Sequence, residues 1–104
     1  MFGLFRDKGL DEFAEGLAKE LSARIPPDSL DAERIASPKF QPTLTRALQS
    51  LFASVQRYCE DRKPGVLKKA RLSKSFQDRL VAVGYSKDFA REATIALAKY
   101  LTQI

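Results

Sequence analysis

The chain has 104 residues and 11.7 kDa, 44% of them hydrophobic and 30% charged, with five glycines and five prolines. That is one domain's worth of sequence, able to bury an apolar core unaided, and its composition excludes disorder and fibrous repeats. The net charge is +5, but residues 1–36 carry −3 and residues 37–104 carry +8; residues 57–79 alone amount to +5.

His, Asn and Trp are absent, and Cys59 is the only cysteine. Without histidine there is no Ser-His or Cys-His nucleophile pair, no imidazole base and no His-containing zinc site. One cysteine forms no intramolecular disulfide and no thiolate cluster, which predicts a reducing, cytoplasmic setting. No run approaches the roughly 20 apolar residues that span a bilayer, and the start is too short for a secretory signal, so no membrane span is expected.

Ala and Leu supply 26 residues against 12 for Val, Ile and Thr together, a balance that favours helix. Met1, Phe2, Leu4 and Phe5 give residues 1–8 the character of an apolar arm. Residues 9–104 read as a single helical domain. Leu10, Phe13, Leu17, Leu21 and Ile25 recur at helical spacing and predict a first helix over 9–25, stopped by Pro26 and Pro27. Residues 26–42 hold four of the five prolines and read as a connection, with a helical turn near 30–36. A second helix is predicted over 42–62. Its apolar positions Leu44, Ala47, Leu48, Leu51, Phe52, Val55, Tyr58 and Cys59 cover an arc of about 140°, which predicts a central place in the domain.

Residues 66–72 follow Pro64 and Gly65 and lean towards helix, although their periodicity is brief. Phe76, Leu80 and Val83 mark a third helix ending at Gly84, and Ser86 is placed to cap a fourth. That helix should run to the end, with Phe89, Ala93, Ala96, Leu97, Tyr100, Leu101 and Ile104 on one face. The expected fold is all-α: a small four-helix domain, bundle-like or orthogonal, with three long or medium helices and shorter ones.

Candidate chemistry is sparse. Asp28, Asp31 and Glu33 lie near one another but lack the glycine and ligand ladder of a calcium loop. Cys59 sits on the apolar stripe and reads as a structural thiol. The glycines have no phosphate-loop spacing. Residues 73–91 outline a helix, a glycine turn and a capped helix; Arg79 stands where a DNA-reading helix-turn-helix buries an apolar side chain, so the segment reads as a plain hairpin. No catalytic residue, cofactor or metal is predicted. The leading expectation is a non-enzymatic interaction module that docks another protein or itself, a homodimer included. Phe2, Phe5, Val81 and Ile95 are its candidate partner-binding residues, the last two because they fall outside the core stripes. The alternative is a nucleic-acid-associated protein holding phosphates with Arg62, Lys63, Lys68, Lys69, Arg71 and Lys74.

Overall fold

The computed structural model describes residues 8–104 and contains five α-helices and one 3-10 turn there, with no strand among the described residues. Helix α1 (Lys8–Arg24) forms where Leu10, Ala14, Leu17, Ala18 and Leu21 recur every three or four residues, and all five are buried. Its solvent side carries the ion pairs Glu15–Lys19 (3.1 Å) and Glu20–Arg24 (3.3 Å). The backbone N–H of Ile25 still donates to the Leu21 carbonyl (2.7 Å), but Pro26 and Pro27 bring no donor and the helix stops.

A 3-10 turn (Pro27–Ser29) and the short helix α2 (Ala32–Ala36) follow. Asp31 caps α2 by accepting a hydrogen bond from the Arg34 backbone N–H (2.7 Å). Helix α3 (Phe40–Arg62) starts two residues before the predicted position, because Phe40 is already buried against the core. It ends where Lys63 turns left-handed, φ 47° and ψ 56°, ahead of Pro64.

Helix α4 (Val66–Ala82) is continuous, which joins the brief stretch at 66–72 to the predicted third helix. Ser73 does not interrupt it, since its hydroxyl donates to the Lys69 carbonyl one turn back (3.2 Å). The α4 end is a Schellman turn: Tyr85 N–H bonds to the Leu80 carbonyl (3.1 Å) and Gly84 N–H to that of Val81 (3.1 Å). Gly84 has φ 117°, which L side chains rarely adopt, so the turn calls for glycine; a Cβ there would make only an ordinary 3.4 Å contact with the Pro27 side chain. Helix α5 (Lys87–Gln103) begins as expected, the Ser86 hydroxyl accepting from Phe89 N–H (3.1 Å).

The tightest packing is α4 against α5 and α1. Lys69 Nζ reaches the Leu101 carbonyl (3.2 Å), so α4 and α5 form an antiparallel hairpin. Helix α1 runs parallel to α4, as shown by Ser75 donating to Asp11 (3.2 Å) and by Arg79 at 3.9 Å from Glu15. Helix α3 crosses antiparallel to α1, with Tyr58 stacked on Phe13 at 4.3 Å and Ser50 donating to Glu20 at 3.0 Å; Phe52 stacks on Tyr100 of α5 at 4.7 Å.

The expectation of a central α3 is therefore corrected. Only Phe40, Ala47, Leu51 and Val55 of α3 are buried, while Leu44, Leu48, Phe52, Tyr58 and Cys59 are half-covered; α1 and α5 bury more residues. Val83 and Ile104, assigned to core faces from spacing, are exposed because one lies in the turn and the other past the last helical residue.

At the far side of the Gly84 turn, the buried Tyr85 hydroxyl donates to the Ile25 carbonyl, whose helical donor, Ser29 N–H, bonds to the Pro26 carbonyl instead. Burial pushes this phenol up to about 12. The native state therefore keeps the proton above the ordinary value near 10, so stability is full below about pH 10 and falls as pH rises towards 12. Tyr85→Phe is expected to cost about 1–2 kcal/mol in urea unfolding at neutral pH and to abolish its share of the alkaline decline. Thr94 is buried in α5 with a hydroxyl that meets no hydrogen-bond partner. Thr94→Val is expected to raise stability by about 1 kcal/mol in the same measurement.

Candidate functional site

The broad apolar arc of α3 has more width than its neighbours cover. One uncovered edge, Leu44 and Leu48, faces Phe89 and Ala93 of α5 across a groove of about 640 Å³ that Leu30 and Ile35 close at one end. The charged residues lining it are Asp31, Asp88 and Glu92, all acidic. Local rules put them there: Asp31 is the α2 cap, and Asp88 lies in the first turn of α5, where the helix dipole favours an acid. Arg34 lies over the Phe40 ring (5.8 Å from its centroid), and Arg91 approaches Asp88 at 3.9 Å. This groove escaped the sequence reading, although a stripe wider than one neighbour needs was its available signal.

The basic residues gather along the C-terminal part of α3 and along α4, in differing states. Arg62 stands over the Tyr58 ring (6.0 Å), Lys63 ends α3, and Lys68 is exposed. Lys69 is engaged with the Leu101 carbonyl, and Lys74 pairs with Asp78 at 3.0 Å. Arg71 is half-buried, its Nε without a hydrogen-bond partner, in a cleft between α1 and α4 that also holds Asp11 and Asp78. Tyr58 is stacked on Phe13 and Phe76 is buried, so neither aromatic flanking the basic run offers a face to a nucleobase.

Between these cations stand Val66 and Leu67, 84% and 85% exposed. Sequence reasoning missed them because residues 66–72 were too short a window. Once α4 is carried back at helical pitch from the buried line of Leu72, Phe76 and Leu80, Val66 falls about 80° from its middle and Leu67 about 180°, on the opposite side. Of the candidate partner residues, Val81 and Ile95 are exposed at 39% and 40%, less than half as much. Phe2 and Phe5, with the rest of the apolar arm before Lys8, lie outside the described residues.

Cys59 is half-buried on α3, and burial raises its thiol pKa against a smaller opposing pull from Lys69. That favours the neutral thiol over the reactive thiolate. Among the described residues no three His, Cys, Asp or Glu side chains group as a metal cage, and no helix is long and apolar enough to cross a membrane. No family model, no curated protein and no solved structure matches the chain.

Proposed function

We propose that this chain is a small non-enzymatic interaction module that docks another protein, its α3–α5 groove taking a basic amphipathic helix. One observation carries the reading: an apolar groove between two long helices, lined by half-covered Leu44 and Leu48 and by acidic side chains alone among the charged types. A partner helix with apolar anchors at i, i+3 or i+4, and i+7 fills such a trough, and lysines or arginines flanking its apolar stripe meet the carboxylates. Burial of the anchors supplies affinity, and the rim supplies steering and sign selectivity. The absence of histidine and the neutral, half-buried Cys59 support a role without covalent or acid-base chemistry. Phosphate binding through Arg62, Lys63, Lys68, Lys69, Arg71 and Lys74 is the second reading. It rests on charge, and it lacks stacking faces.

The test is fluorescence anisotropy with a labelled Leu/Lys amphipathic peptide and its Leu/Glu counterpart. The Leu/Lys peptide is expected to bind, the Leu/Glu peptide not to bind, and Leu48→Asp or Glu92→Lys to weaken binding by about tenfold or more with helicity unchanged. Equal binding of both peptides, or indifference to both substitutions, contradicts the proposal. A homodimer broken by Leu48→Asp also contradicts it, by assigning the groove to a second copy.

A further inference from the structure

We infer that the corner between α3 and α4, at the opposite end of α3 from the groove, is a peripheral docking tip for an anionic lipid surface. The inference is independent of the groove. Val66 and Leu67 are the most exposed large apolar residues among those described. They are consecutive residues in the first turn of α4, immediately after Pro64 and Gly65, and Val66 also lines a groove between α4 and α5 with Ala70, Leu101 and Thr102. A Cβ built on Gly65 would meet nothing within 4 Å, which marks the corner as open on that side as well.

The surrounding charge has one dominant sign. Arg62 and Lys63 precede the pair and Lys68 and Lys69 follow it, against Asp61 and Glu60, and the Glu60 carboxylate accepts from the Gln56 amide at 3.2 Å. The α4–α5 pairing of Lys69 with Leu101 brings the exposed Ile104 to this same end.

A bilayer interface matches that arrangement in layers: anionic headgroups outermost, acyl chains beneath. Lysine and arginine stems extend to the headgroup level while two aliphatic side chains enter the apolar layer below. A nucleic-acid backbone answers only half of it. Phosphates satisfy the cations but leave Val66 and Leu67 without an apolar complement, and Tyr58 and Phe76 are already occupied within the fold.

The experiment is co-sedimentation of the whole chain with vesicles of phosphatidylcholine containing phosphatidylserine and with vesicles of phosphatidylcholine alone. Binding is expected to the first and not to the second. The paired substitution Val66→Ser and Leu67→Ser, at positions too exposed to support the core, is expected to lower partitioning by about tenfold or more. Lys63→Glu with Lys68→Glu is expected to do the same, with loss of the salt dependence. Leu48→Asp, which damages the groove, is expected to leave vesicle binding unchanged. The inference is overturned if the two vesicle types bind equally, if neither binds, or if the serine pair binds as well as the natural chain. It is also overturned if Phe2→Ser with Phe5→Ser alone abolishes binding, or if duplex DNA is held tightly and equally by the natural chain and the serine pair.

Discussion

A single buried contact organises this fold: the Tyr85 hydroxyl on the Ile25 carbonyl. Two prolines end α1 by removing the donors that its final carbonyls need, and Ser29 N–H, the donor four residues on, is spent on the Pro26 carbonyl at 3.0 Å. The Ile25 carbonyl would then be a buried acceptor left empty, which is costly. Tyr85 supplies the donor across 60 residues of sequence, and it reaches that point because Gly84 turns left-handed against Pro27. The end of α1 is thereby tied to the α4–α5 turn, and α1, α4 and α5 become one packed unit.

Helix α3 joins that unit on different terms. It is attached through a narrow buried line, Ala47, Leu51 and Val55, and through two aromatic stacks, Phe13–Tyr58 and Phe52–Tyr100. Stacked rings hold helix surfaces together while leaving their flanks apart, so the remaining width of the α3 stripe stays half-covered. The acid-lined groove is the consequence at one end of α3. At the other end the Lys63–Pro64–Gly65 corner throws Val66 and Leu67 outward among cations. The uneven charge along the sequence thus becomes, in part, a difference between two ends of an elongated body measuring 45 × 25 × 19 Å.

What was legible in the sequence was local. The α1 stripe, the proline stop, the Gly84 turn and the Ser86 cap each depend on residues within a few positions, and each stands where spacing predicts it. What was not legible depended on which helix covers which. A broad arc on α3 looks central from periodicity, yet coverage is a property of α1 and α5, and they leave Leu44 and Leu48 half-open. Val66 and Leu67 looked ambiguous because the buried residues that define their helix, Leu72, Phe76 and Leu80, lie downstream. The Tyr85–Ile25 bond, spanning most of the chain, has no sequence signature at all.

If the Gly84 turn and its Tyr85 contact hold the fold together, the most direct measurement is equilibrium urea unfolding of Gly84→Ala. The added methyl is strained by a backbone held at φ 117°. The account predicts a loss of roughly 1–3 kcal/mol with an unchanged denaturant slope. A midpoint equal to that of the natural chain would contradict it.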